Sequence, residues 1–153
     1  MKIGVISDTH NYLDPKIHEI FAGVEHIFHA GDVGMPAVIL ELEDIAPVTA
    51  VSGNVDEGND YRDTEVVEFE GLKFLLHHIV DPHDLEDKIK RRITKEKPDV
   101  VIFGHTHRPF NEKIDTTLYF NPGYAGKQRF NQARSVAILY CEAKEIRVEF
   151  REL

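Results

Sequence analysis

The stretch PDVVIFGHTHRPF, residues 98–110, joins a run of apolar residues to a pair of histidines. The apolar residues 100–103 predict a buried strand, and Gly104 ends that strand just before His105 and His107. A single histidine at the end of a strand would say little about function. Two imidazoles placed two positions apart suggest a site, provided that other strands end in the same way.

Four further apolar segments do end in side chains with oxygen or imidazole donors. The segments are KIGVIS, EHIFHAG, VTAVSG and GLKFLL, and the side chains that follow them are Asp8 and His10, Asp32, Asn54, and the adjacent pair His77 and His78. In open α/β sheets, ligands bind just beyond the carboxyl ends of the strands. We therefore expect these groups to converge with His105 and His107 on one crevice.

The order of the expected elements indicates the fold class. Strands alternate with helices in the first part of the chain and cluster in the last part. We expect strands at 2–7, 26–29, 48–52, 65–70, 72–76, 99–103, 111–115, 117–121, 135–141 and 145–151, and helices near 15–22, 36–43 and 83–95. This order predicts an α/β protein with a mixed sandwich rather than a purely parallel sheet.

Length and composition predict one globular domain over residues 1–153, with 42% apolar and 29% charged residues. The single cysteine, Cys141, excludes a disulfide framework and a cysteine-based zinc site. The chain opens directly into an apolar strand, and no apolar run approaches the roughly 18 residues that span a bilayer. We expect a soluble cytoplasmic protein without a membrane partner.

The formal net charge of −9 argues against stable nucleic-acid binding, which depends on clustered cations. One basic cluster does occur, at Lys88, Lys90, Arg91 and Arg92, in a segment of helical spacing preceded by acidic residues. We interpret it as the solvated face of a helix.

The seven donors, counted without His78, favour a divalent first-row metal, because they include carboxylate, amide and imidazole groups but no thiolate. Seven ligands exceed what one ion needs, and they fit two ions about 3.5–4 Å apart with a bridging carboxylate. Two divalent cations carry more positive charge than two aspartates can neutralise, so the occupied site would keep a net positive charge. Phosphate esters are therefore the expected substrates.

These residues resemble the calcineurin-like metallophosphoesterases, and within them the small prokaryotic phosphodiesterases. The motifs that carry the resemblance are D-x-H, G-D, G-N, a lone His and G-H-x-H in that order, and the similarity covers nearly the whole chain. The resemblance implies a four-layer α/β/β/α sandwich of two mixed β-sheets flanked by helices. It also implies hydrolysis of phosphodiester bonds by a hydroxide that bridges two metal ions.

The same resemblance assigns the metal ligands. The first ion would be held by Asp8, His10, Asp32 and His107, and the second by Asp32, Asn54, His77 and His105. Asp32, Asn54 and His105 are then also the expected catalytic residues. Mn²⁺ is the expected metal, with Ni²⁺, Fe²⁺, Co²⁺ and Zn²⁺ as alternatives.

The sequence departs from the wider family at Val55, where many members have a histidine assigned as proton donor to the leaving group. Asp56 and His78 are the candidates to replace that donor. His78 and His29 are also candidates to orient the metal ligands by contacting them without binding the metal. NPGY at 121–124 replaces the more usual NPGS.

Two other functions stay open at this point. The first is an interaction scaffold, since some proteins of this fold have little or no turnover. The second is a protein with one structural metal ion, which would need fewer than seven ligands. Taken singly, Gly31-Asp32 and Gly53-Asn54 are also typical of ordinary turns. A monomer and a homodimer are both compatible with the sequence.

Overall fold

The computed structural model describes residues 1–153 and contains ten strands and three helices. In chain order they are β1 (Lys2–Ile6), α1 (Lys16–Ile20), β2 (His26–His29), α2 (Ala37–Glu43), β3 (Val48–Ala50), β4 (Thr64–Phe69), β5 (Leu72–His77), α3 (Asp87–Glu96), β6 (Val100–Ile102), β7 (Phe110–Ile114), β8 (Thr117–Asn121), β9 (Ser135–Glu142) and β10 (Glu145–Glu152). Every element expected from the sequence is present.

The strands form two five-stranded mixed sheets. The first sheet has the order β10-β9-β1-β2-β3, in which β1, β2 and β3 are parallel and β9 is antiparallel to both of its neighbours, β1 and β10. The second has the order β4-β5-β6-β8-β7, in which β5, β6 and β8 are parallel and the edge strands β4 and β7 are antiparallel to their neighbours.

Three apolar clusters hold the sheets and helices together. Fourteen buried residues, among them Phe28, Phe74 and Phe120, fill the space between the two sheets. A second cluster joins the first sheet to α1 and α2, and a third joins the second sheet to α3. Each buried Phe contributes about 1.5–3 kcal/mol. The clusters define the predicted four-layer α/β/β/α order, which is confirmed.

Two local features explain where elements begin. The β4–β5 hairpin turns at Glu70 and Gly71, whose φ angles of 54° and 75° are those of a tight two-residue turn. Helix α3 begins at Asp87 rather than at residue 83, because a turn comes first: the Asp81 carboxylate accepts a hydrogen bond from the N–H of His83 at 3.0 Å.

The first helix is tied to the far end of the chain by an ion pair. Asp14, just before α1, accepts a hydrogen bond from the N–H of Lys16 at 2.9 Å and pairs with Arg134 at 3.0 Å, and both charged side chains are over 90% buried. Burial favours a raised pKa for Asp14, but these two hydrogen bonds and the nearby positive charges outweigh it and lower the pKa.

None of the three helices has the length and apolar composition that crossing a membrane requires.

Candidate metal centre

The carboxyl ends of the parallel strands from both sheets meet at one edge of the sandwich. Residues that follow β1, β2, β5 and β6 form two groups of side chains that could each hold a metal ion: Asp8, His10 and His107 in the first group, and Asp32, His78 and His105 in the second. Within each group, one ligand atom per residue lies within 4.8 Å of the others. Each group combines residues from both sheets.

In the first group, the Oδ1 atom of Asp8 lies 3.3 Å from Nε2 of His107 and 3.8 Å from Nε2 of His10. Two ligands of one ion, each about 2.1 Å from it, are at most about 4.2 Å apart, so these separations suit a shared ion. The other oxygen of Asp8 accepts hydrogen bonds from the Ser7 hydroxyl at 2.7 Å and the His105 N–H at 3.1 Å. These two bonds fix the carboxylate so that Oδ1 faces the imidazoles.

In the second group, Oδ2 of Asp32 lies 3.2 Å from Nε2 of His78. The Nδ1 atom of His78 donates to the carbonyl of Ala30 at 2.7 Å, which leaves Nε2 as the ring nitrogen that faces the site. A ligand histidine is usually oriented in this way, through a hydrogen bond from its second nitrogen. His105 completes the group at the exposed mouth, with its Nδ1 atom 3.2 Å from Oδ1 of Asn54.

Asp32 lies between the two groups. Its Oδ2 atom is 3.5 Å from Nε2 of His10 as well as 3.2 Å from His78, and its Oδ1 atom accepts a hydrogen bond from the N–H of Val55 at 3.0 Å. Burial favours a raised pKa for Asp32, but the nearby His78 imidazole, the hydrogen bond from the N–H of Val55 and the His10 imidazole lower the pKa to about 2. Asp32 is therefore an anion at neutral pH.

Three buried atoms at this junction have no hydrogen-bond partner: Oδ1 of Asp8, Nε2 of His10 and Nε2 of His78. Buried polar atoms are nearly always paired, so three unpaired atoms that face one another indicate a missing partner. Burial favours a lowered pKa for His78, but Asp32, Asp8 and the Ala30 carbonyl raise it, because a positive charge is favoured at this position. The donors therefore fit divalent cations.

The structure places His78, not His77, in this cluster. The expectation that His77 is a ligand does not agree with the geometry, because adjacent strand residues face opposite sides of a sheet. His77 faces α3, and its Nδ1 atom is 2.8 Å from the Thr64 hydroxyl. We therefore transfer the proposed ligand role from His77 to His78, for which the sequence predicted only a supporting role or that of a proton donor.

His29 and Asp56 hold the loops that carry the ligands. Burial lowers the pKa of His29 to about 4, so its ring is neutral; it accepts a hydrogen bond from the N–H of Gly31 and its Nε2 atom lies 2.9 Å from the Thr9 hydroxyl. Asp56 is 1% exposed, and its two oxygens accept hydrogen bonds from three backbone N–H groups, those of Val33, Gly34 and Gly53. Neither side chain faces the cluster of ligands.

The glycine in each motif allows a close approach to a ligand. A Cβ atom on Gly31 would lie 2.6 Å from the His78 ring, one on Gly53 would lie 2.2 Å from Oδ1 of Asp32, and one on Gly104 would lie 2.6 Å from Oδ2 of Asp8. Such separations are well inside van der Waals contact. The G-D, G-N and G-H spacings are thus a packing requirement of the site.

Backbone strain is concentrated at the same place. Five proposed ligands have left-handed backbone conformations, with φ between 45° and 70°: Asp8, His10, Asp32, His105 and His107. Residues other than glycine rarely adopt this conformation, and each instance costs on the order of 1–3 kcal/mol. The hydrogen bonds to the ligand loops keep these residues in position.

Asn121 and Tyr124 also support the site, although their roles were not predicted from the sequence. The amide of Asn121 donates to the Gly104 carbonyl at 3.0 Å, and the buried Tyr124 ring stacks on the His107 ring with centroids 4.6 Å apart. Both residues hold the His105–His107 loop. Their position in the NPGY segment, close to a strand end, was the available signal.

The fold and this cluster of donors together define a metallophosphoesterase, and the chain belongs to that family: residues 1–144 match the calcineurin-like phosphoesterase superfamily domain. A probable metallophosphoesterase of Methanothermobacter thermautotrophicus is 33% identical over 157 residues, which cover 97% of this chain and 91% of the relative. A phosphodiesterase of Methanocaldococcus jannaschii is 38% identical over 143 residues, covering 80% of this chain and 83% of that protein.

Solved structures show the same fold. A structure described as a novel archaeal phosphodiesterase superposes with a TM-score of 0.75 at 33% identity, covering 99% of this chain and 100% of the other. Wild-type Vps29 of Entamoeba histolytica complexed with Zn²⁺ superposes with a TM-score of 0.77 at 21% identity, covering 99% of both chains. At that identity the second likeness shows the fold alone.

Proposed function

We propose that this protein is a phosphoesterase that depends on two divalent metal ions and hydrolyses phosphodiester bonds. The observation that carries the proposal is the set of three buried, unpaired atoms on Asp8, His10 and His78: Oδ1 of Asp8 lies 3.8 Å from Nε2 of His10 and 3.9 Å from Nε2 of His78. In this proposal residues 1–153 form one domain, which acts in the cytoplasm on a small phosphate ester. The acidic net charge of −9 disfavours stable nucleic-acid binding.

The geometry supports a revised set of ligands. Asp8, His10, Asp32 and His107 would hold the first ion, and Asp32, Asn54, His78 and His105 the second. Asp32 is the proposed bridge, because its Oδ2 atom is within 3.5 Å of a histidine from each group. Mn²⁺ is the proposed metal, and Ni²⁺, Fe²⁺, Co²⁺ and Zn²⁺ have compatible ligand preferences.

Two bound divalent ions would supply an activated water nucleophile and positive charge for the phosphoryl oxygens. The chain itself contributes an ionised Asp32 and two exposed donors, Asn54 and His105, at the mouth of the site. In this proposal the Asn54 side chain, whose oxygen would bind the second ion, donates its amide N–H to a phosphoryl oxygen as negative charge develops on it. Asp32, Asn54 and His105 are the proposed catalytic residues.

Neither candidate for the missing proton donor is placed to act. Both oxygens of Asp56 accept backbone hydrogen bonds, and Nε2 of His78, the nitrogen that faces the site, would be bound to the second ion while Nδ1 donates to the Ala30 carbonyl. Val55, at the position of the family histidine, is 49% exposed and has no proton to give. We therefore propose that solvent protonates the leaving group, which favours esters with good leaving groups.

A protein-interaction scaffold is the second candidate function, because the Vps29 neighbours share the fold. The donor set favours the enzyme, since the two groups of potential ligands are intact and partly buried. A scaffold needs neither buried unpaired donors nor strained ligand loops.

Metal content and hydrolysis of a chromogenic diester test the proposal. Metal-free protein is loaded with Mn²⁺ or Ni²⁺, analysed for bound metal, and assayed with bis(p-nitrophenyl) phosphate. We expect two ions per chain and hydrolysis that a chelator abolishes. Asp32→Ala should lose both ions, whereas His10→Ala should mainly weaken the first.

Activity variants complete the test. Asp8→Asn and His105→Ala should lower the rate by orders of magnitude without unfolding the chain. His18→Ala, which changes an exposed histidine on α1, is the matched control and should keep full activity. Fully metallated protein that hydrolyses no phosphate ester would support the scaffold instead.

A further inference from the structure

A groove of about 560 Å³ opens directly beside the proposed second metal site and shares His105 with it. One wall is the segment 79–83, which continues from His78, and the other is the segment 103–110, which contains His105. The groove is thus built from the two chain segments that position the second group of ligands. A phosphate bound at the metals would place an attached ester group at its entrance.

The walls of this groove are mainly apolar and aromatic. Ile79, Pro82, Phe103 and Phe110 line it, and Ile79 is a large hydrophobic side chain that is 45% exposed. The Phe110 ring packs 5.8 Å from the Phe103 ring, so its position is fixed by the core. Fixed aromatic surfaces of this kind favour planar rings.

Five of the eleven residues that line the groove are polar or charged, namely Asp81, His83, His105, Thr106 and Arg108. Arg108 brings a cation to the wall between Thr106 and Phe110. The Asp81 carboxylate is turned into its own loop, where it accepts the N–H of His83 at 3.0 Å. The groove therefore combines apolar walls with the cationic Arg108, which follows His105 in the same segment.

We propose that this groove binds a planar ring, such as an aryl group or a nucleobase, carried on the phosphate of the substrate. Phe110 and Ile79 are the residues that would give the site its preference for such substrates. The inference rests on the proposed function, because the phosphate must be held at the metal centre for the ring to reach the groove.

Calorimetric titration of the Mn²⁺-loaded protein with two phosphonates tests the proposal. Methylphosphonate and phenylphosphonate have the same charged group and differ only in the ring. We expect phenylphosphonate to bind about tenfold more tightly, because part of its apolar surface leaves water. The 5′-phosphonate analogues of adenosine and ribose form a second pair, which distinguishes a nucleobase held one sugar away from a ring attached directly.

Phe110→Ala should reduce the preference for the ring to less than about twofold and leave methylphosphonate binding unchanged. Ile79→Ser should act in the same direction, and its exposed position keeps the test valid if Phe110→Ala misfolds. Phe130→Ala is the matched control, since Phe130 is 96% exposed and lies outside the groove.

The outcomes separate the two proposals. Loss of the ring preference in Phe110→Ala or Ile79→Ser, but not in Phe130→Ala, supports the groove. Equal binding within both ligand pairs by the wild type overturns the groove and leaves the metal site intact. Failure of methylphosphonate to bind at all overturns the phosphate site and the groove with it.

Discussion

Replacing His78 by alanine should remove the second metal ion, whereas replacing the adjacent His77 should leave both ions bound. His78 presents Nε2 to Asp32 at 3.2 Å, while His77 contacts Thr64 on the other side of the sheet. Changing a residue that only orients a ligand costs about 10–100-fold in metal affinity. Loss of the ligand itself should cost at least about 100-fold, or about 2.8 kcal/mol.

His77→Ala is the control, because it deletes an imidazole from the neighbouring position of the same strand. It removes one hydrogen bond to Thr64, which should lower the free energy of unfolding by about 1 kcal/mol. Metal affinity should change by less than about twofold, since the ring does not face Asp8 or Asp32.

Titration calorimetry of the metal-free variants with Mn²⁺, together with elemental analysis after gel filtration, measures both effects. Thermal unfolding of the metal-free proteins checks that each variant folds. Loss of metal in His77→Ala with full retention in His78→Ala would refute the assignment.

Three further predictions follow from the packing and the charges. Gly104→Ala should lower metal affinity at least about tenfold, because the new Cβ lies 2.6 Å from the Asp8 carboxylate; Gly23→Ala, with φ of 80° and no atom within 4 Å, should cost only about 1 kcal/mol of stability. Asp14→Asn should lower the free energy of unfolding by about 1–3 kcal/mol at pH 7. Because the folded pKa of Asp14 is lowered, its stabilisation is present above the ordinary pKa of about 3.9 and is lost as pH falls through the folded value. Urea denaturation of the wild type and Asp14→Asn at several pH values measures this. A difference in the free energy of unfolding that stays constant with pH would contradict the prediction. The rate of wild-type diester hydrolysis should depend steeply on leaving-group pKa, and Val55→His should flatten that dependence if its imidazole reaches the ester oxygen; a flat wild-type dependence would show that a donor already exists.

The element order and most of the site could be predicted from the sequence, because they depend on local patterns. The β4–β5 turn, the alternation of strands with helices and the donors after each strand end are all visible within short windows. The choice between His77 and His78 was different, because it depends on which face of β5 packs against which layer. Phe74, Leu75 and Leu76 are all buried, since β5 has core on both faces. This run of apolar residues shows no alternation, so the sequence does not reveal which residues of β5 face α3 and which face the other sheet.

A weaker signal did exist in the same strand. Lys73 is only partly buried and its side chain reaches the end of α3, where its Nζ atom donates to the Glu96 carbonyl at 3.0 Å. Counting in steps of two from Lys73 leads to His77 on that face and therefore puts His78 on the other. The groove beside His105 could not be predicted, because it depends on how the 79–83 and 103–110 segments pack in space.

Since each group of ligands draws on both sheets, an ion bound to either group would act as a cross-link between the two halves of the sandwich. Such a cross-link forms only after the sheets have docked, so the unfolded chain does not share it. An ion present at 100 times its dissociation constant would then stabilise the folded state by about 2.7 kcal/mol. Chelation should accordingly lower the melting temperature and speed amide exchange in the strained loops around His10 and Asp32, well before the outer hairpin of β9 and β10 opens.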